Sequence, residues 1–166
     1  MSVNVKHVKG RRKVHFECYD DIRRDVEMLH RRGPLTCLGN WTAGQNYEHL
    51  AKSIDVSIDG VDYKLPLWMQ WIAKSFKNWF LSRPFKPGFN LPAKLEPAFY
   101  PREIISDEDG FRLLIAALDR IQSDAQRAAS PAFGNMPESD WIKLHCRHSE
   151  LHLSFLVPAN NTSSDL

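Results

Sequence analysis

The strongest restriction on what this chain can fold into is its apolar period. Segment after segment repeats every three to four residues, opens on a capping residue and closes on glycine or proline. The two-residue alternation of a half-buried strand is almost missing. Ile22, Val26 and Leu29 fall at i, i+4 and i+7 behind a cap at Asp20 or Asp21. His30, Arg31 and Arg32 occupy the last turn, where positive charge is favoured, and Gly33-Pro34 ends the helix. Thr42 with Gln45 reads as a capping box for a second helix carrying Tyr47, Leu50 and Ile54. A third helix over 65–84 carries a broad aromatic face, Trp68, Trp71, Ile72, Phe76, Trp79 and Phe80, expected to face the core. Prolines at 84, 87, 92, 97 and 101 then predict a helix-free stretch, either a crossover or a covering loop. Ser106 with Asp107, Glu108 and Asp109 opens a fourth helix, whose core face holds Phe111, Leu114, Ile115, Leu118, Ile121 and Ala125. Pro137 with Glu138 and Asp140 opens the last helix, and Pro158 closes it. The expected class is all-α, a bundle of long helices with one extra, peripheral helix and a long proline-rich crossover loop.

A chain of 166 residues is long enough to bury a core and short enough for one domain, expected over 1–157 with a disordered polar tail at 158–166. The net charge of +2 does not by itself argue for a nucleic-acid partner. Cys18, Cys37 and Cys146 lack CxxC spacing, so they give neither a disulfide framework nor a thiolate zinc cage and fit a cytoplasmic protein. The basic start, "KGRRK" at 9–13, reads as a loose, solvated arm rather than a secretory signal. No segment has the apolar length of a membrane span. From Leu65 to Leu95 there are five basic residues, three tryptophans and no acid. That stretch reads as a core-facing helix with a solvated basic side, so neither nucleic acid nor membrane is expected as a partner. Trp71 or Trp79 could instead form the patch of a homodimer.

Chemistry concentrates in "LHCRHSELHLSFL", residues 144–156, which holds His145, His148 and His152. His148 and His152 are i, i+4 and project from one helix face, the spacing by which a helix offers two nitrogens to one metal ion. The inward stripe is expected to be Trp141, Leu144, His148, Leu151, His152 and Phe155. A catalytic zinc usually takes three protein ligands, and His49, mid-helix beside Leu50, is the expected third. Zinc is the default divalent metal for three imidazoles; nickel, manganese and iron also accept them. His145 is expected at the boundary of the site. His7, His15 and His30 have no patterned partners and read as surface residues. Glu48 and Glu150 point off the ligand face, toward solvent or other partners. Gln45, Asn46 and Ser149 are better placed to hold an imidazole by its second nitrogen. Cys146 reads as a small packed residue.

The segments "GNWTAGQNYEHLAKSID" (39–55), "FKPGFNLPA" (85–93) and "PAFGNMPESDWIKLHCRHSELHLSFL" (131–156) resemble an uncharacterised bacterial family of the DinB-like superfamily of metalloenzymes. The resemblance runs from about residue 11 to 157. It implies an up-down four-helix bundle and a divalent metal held by His49, His148 and His152. It also implies a metal-dependent enzyme acting on a small molecule, as a thiol-dependent transferase or a hydrolase. Relatives carry a histidine before the proline of PxFG where this chain has Ser130. The alternative is a non-catalytic helical bundle, structural or interacting, with or without metal.

Overall fold

A computed structural model describes residues 2–63, 65–88, 92–124 and 126–159. After a 3-10 turn at Val5–His7, the elements are α1 (Tyr19–Arg31), β1 (Leu35–Cys37), α2 (Ala43–Asp59), α3 (Leu67–Leu81), α4 (Glu96–Phe99), α5 (Asp107–Ser123), α6 (Glu138–Leu153) and β2 (Leu156–Pro158). Four long helices make the body. α1 packs on α5 and α6, and α2 packs on the same two, so α1 and α2 stand at opposite corners. The apolar stripes meet at the centre: Ile22, Val26 and Leu29 against Tyr47, Leu50 and Ile54, and both against Leu114, Leu118 and Ile121. Each such burial contributes about 1.5–3 kcal/mol. Ala125 lies outside the described residues.

Local signals explain the helix starts. The Thr42 hydroxyl accepts from the Gln45 backbone, and the Gln45 side chain accepts from the Thr42 backbone. Ser106 accepts from the Asp109 backbone. The start of α1 differs from expectation. Cys18 is the cap residue, and Asp21 reaches back to accept from the Glu17 and Cys18 backbones at 2.8 and 3.2 Å. The tightest packing is between the first turns of α2 and α5. A Cβ on Gly44 would stand 2.5 Å from the Ser106 carbonyl oxygen, and one on Gly110 would collide with the Gly44 backbone. Glycine at both positions lets the backbones touch, and Asp107 accepts from the Gly44 N–H at 2.7 Å.

Five expectations are corrected. A two-stranded antiparallel sheet exists, pairing Leu35 with Pro158 and Cys37 with Leu156. α6 therefore stops at Leu153, and Pro158 ends an edge strand, a position that needs no N–H donor. Ala159 donates to the Pro34 carbonyl, and residues 160–166 of the expected tail lie outside the described residues. Among its described residues the proline-rich stretch contains one helical turn, α4, with Pro97 in its first turn, where the missing N–H costs nothing.

The basic arm is not loose at Arg11 and Arg12. Arg12 clasps Asp25 with two bonds of 2.7 and 2.6 Å and donates to the Leu153 and Leu156 carbonyls. Arg11 reaches Ser154 and the Leu151 carbonyl. The carbonyls that the end of α6 leaves unpaired attract these guanidiniums, so charge that sequence alone assigns to solvent is a C-terminal cap. Last, α3 does not point its aromatics inward. Gln70, Ala73, Lys77 and Leu81 face the body, while Trp68, Trp71, Phe76 and Trp79 are exposed by 57–74%.

Candidate metal centre

α2 and α6 lie side by side and bring His49, His148 and His152 together. One nitrogen of each ring lies within 4.8 Å of the other two. The Nε2 atoms of His49 and His148 are 3.1 Å apart. Two nitrogens bound tetrahedrally at 2.0–2.1 Å stand about 3.3 Å apart, so the pair already has the spacing of two ligands of one ion. Ring centroids of the three histidines are separated by 4.5–4.9 Å.

Two of the rings have their tautomers fixed from outside. His49 Nδ1 lies 2.7 Å from the Phe99 carbonyl, an obligatory acceptor, so Nδ1 carries the proton and Nε2 presents a lone pair. His152 Nδ1 lies 3.2 Å from Asn46 Oδ1. The Asn46 amide nitrogen donates to the Thr42 carbonyl at 2.9 Å, which fixes the amide so that its oxygen faces the ring. His152 therefore donates from Nδ1 and presents Nε2 as a lone pair. Two unprotonated nitrogens in one three-imidazole cluster suit a cation, which all three rings can share.

The surroundings keep the imidazoles neutral. Burial, above all, lowers the His49 pKa to about 4 and those of His148 and His152 well below the usual histidine range; the neighbouring imidazoles push the latter two down further. Neutral imidazole is the metal-binding form. Trp41 forms one wall, stacked on His152 at 5.5 Å and 14° and tilted against His49 at 4.9 Å. Tyr100 meets Trp41 edge-on. Phe85, whose ring lies 6.5 Å from His148, stands on another side and leads to Phe80 and Phe133.

The segment after α4 is tied down over His49. Buried Glu48 accepts from the Arg102 backbone and guanidinium, both at 2.7 Å, and Lys52 donates to the Tyr100 carbonyl at 2.6 Å. Glu48 thus turns away from the cluster and is paired elsewhere. Gln45 caps α2 and donates to the Arg102 and Glu103 carbonyls, serving the same segment rather than an imidazole.

The chain belongs to the DUF1569 family. The model of this family, described as a protein of unknown function, matches residues 8–159. No curated protein and no solved structure matches the chain.

The remaining candidates fall outside the cluster. His145 is buried; its Nε2 meets the Ser57 hydroxyl at 3.1 Å and its ring stacks on Trp141. The buried stripe of α6 is Trp141, His145, Cys146, Ser149 and Leu153, not the stripe through His148 and His152. His148 and His152 instead sit half-buried at its edge. Glu150 is buried and accepts from the Phe16 backbone at 2.7 Å and from Arg147 at 2.8 Å. Cys146 is packed in the core, and burial pushes its thiol up to about 12. His7 and His15 are exposed, and His30 stacks on Phe111 at 3.9 Å. Ser130 builds its own loop, accepting from the Ala132 and Phe133 backbones. Sequence reasoning missed the Phe99 carbonyl, Trp41 and Arg102. A carbonyl carries no sequence signal, but Trp41 directly before the capping box was open to notice.

Proposed function

We propose that His49, His148 and His152 bind one divalent transition metal ion, zinc by default, and that the chain is a metal-dependent enzyme of DinB-like type acting on a small molecule. The observation that carries this reading is the cluster itself, in which one nitrogen of each ring lies within 4.8 Å of the other two, together with the fixed tautomers that leave Nε2 of His49 and of His152 with a free lone pair. Three neutral ligands leave the ion its full charge and an open position. An ion held there supplies Lewis acidity, lowering the pKa of water or a thiol in that position.

The chain's own residues do the rest. The Phe99 carbonyl and Asn46 hold two rings in orientation and raise their basicity as ligands. Glu48 and Arg102 keep the Phe99–Arg102 segment in place above His49. Trp41 and Phe85 restrict water beside the ligands and give an apolar approach, which suits a small molecule with an apolar part. The reaction class follows from the open position: attack of an activated thiol or water on a small electrophile, a transferase or a hydrolase.

The decisive experiment is elemental analysis of untagged protein purified without chelators, beside His49→Ala and His148→Ala. One equivalent of transition metal in the parent, lost from both folded variants, supports the reading. Metal that survives His49→Ala, or a parent without metal, sinks it. Full metal with no turnover of thiols, esters or electrophiles would leave a metal-stabilised, non-catalytic bundle.

A further inference from the structure

α3 is an amphipathic helix turned inside out. At 100° per residue, Trp68, Met69, Trp71, Ile72, Phe76, Trp79 and Phe80 cover about half its circumference. All seven are exposed, from 37% at Met69 to 74% at Trp71. The row facing the body, Gln70, Ala73, Lys77 and Leu81, carries a single large apolar side chain. Gln70 donates to the Leu65 carbonyl at 2.7 Å, and Lys77 pairs with Asp140 at 2.5 Å. A surface helix normally does the reverse.

We propose that this face is the contact surface of a homodimer, two copies of α3 packing antiparallel about a two-fold axis. Area supports it. Seven large side chains, on average about half exposed and offering roughly 150–250 Å² each, present about 750 Å². A stable interface takes about 800 Å² per partner, whereas the largest apolar patch of a typical monomer is about 300–600 Å². Charge supports it too. Lys74 lies roughly opposite the apolar arc, Lys77 is committed to Asp140, and Arg83 is drawn over the Trp79 ring at 4.9 Å. Two arcs therefore meet without opposing lysines. The same placement disfavours an anionic lipid surface, since an interfacial helix flanks its apolar face with free cations. The interface would adjoin the histidine cluster, because Phe80 contacts Phe85 at 4.5 Å and Phe85 lies beside His148.

The test is light scattering on the full chain across a tenfold dilution series, beside the double variant Trp68→Glu, Phe76→Glu. Phe80 is left intact. The expected result is a parent near twice the 19.2 kDa chain mass and a variant at the single-chain mass with unchanged helicity. A monomeric parent overturns the proposal; if that monomer sediments with phosphatidylglycerol vesicles, the face belongs to lipid. A variant that stays dimeric overturns it as well. Should the variant misfold, hydrogen exchange of the parent at two concentrations decides: protection of 68–80 must rise with concentration.

Discussion

Asn46 is the sharpest handle on the cluster. Its oxygen accepts from His152 Nδ1 at 3.2 Å, and its nitrogen is anchored on the Thr42 carbonyl. Asn46→Ala removes both, freeing the His152 ring to rotate and to change tautomer. Loss of such a partner costs about 10- to 100-fold in metal affinity. By linkage, a 30-fold weaker site loses about 2 kcal/mol of zinc-dependent stability at fixed free zinc. For a chain of this size that is roughly 4–8 °C in Tm. A separate cost appears without metal, because a buried N–H loses its acceptor, about 1–3 kcal/mol. The two separate cleanly: melting in chelator gives the second, and the zinc-minus-chelator difference gives the first. Asn46→Asp keeps an acceptor at the ring and should retain most of the affinity. A chelator-competition titration measures the affinities directly. If Asn46→Ala binds zinc within twofold of the parent while keeping its helicity, the second-nitrogen argument is wrong and His152 is not held as a ligand through Asn46.

Three further outcomes test other parts of the structure. Burial lowers His145 to about 3, from an unfolded value of about 6.5. Between those values the unfolded chain binds one more proton, so the contribution is complete above about pH 6.5 and falls as pH drops, by about 1.4 kcal/mol per pH unit. Urea titrations of metal-free His145→Gln should show that slope reduced by one proton against the parent; an equal slope refutes the burial argument. Gly110→Ala, which drives a methyl into the Gly44 backbone, should destabilise by about 1–3 kcal/mol in the same assay. Arg12→Ala strands the nearly buried Asp25 carboxylate and two carbonyls, so it should cost about 3 kcal/mol or more and raise hydrogen exchange at 151–157.

What was legible followed from periodicity. The stripes of α1, α2 and α5 and the caps at Thr42 and Ser106 stand where the residues put them, because each is a local signal that packing reinforces. The histidine cluster was legible for a related reason: i, i+4 spacing puts His148 and His152 on one face, and His49, beside a core position on α2, meets them. What sequence could not show depended on partners. Nothing in "KGRRK" says that two of its cations end on carbonyls of α6. Three-residue strands are too short to alternate visibly. α3 misleads most: its apolar face is strong, which periodicity reads as core-facing, yet the structure leaves that face exposed.

The histidine-bearing helices are held firmly at the ends nearest the cluster. α2 is locked to α5 by the Gly44–Gly110 contact five residues before His49. The end of α6 is clasped by Arg11 and Arg12 directly after His152. The segment carrying the Phe99 carbonyl is pinned by Glu48, on the same helix as His49. A metal ion arriving at such a cluster has little backbone to order, so little of its binding energy is spent on folding the site. The same restraint predicts that chelation leaves the bundle folded, unlike small domains in which the ion itself closes the core. Destabilisation of the whole fold on metal removal would mean that these anchors do not hold without the ion. Arg12→Ala should then weaken zinc binding as well as stability, because it loosens α6 directly beyond His152.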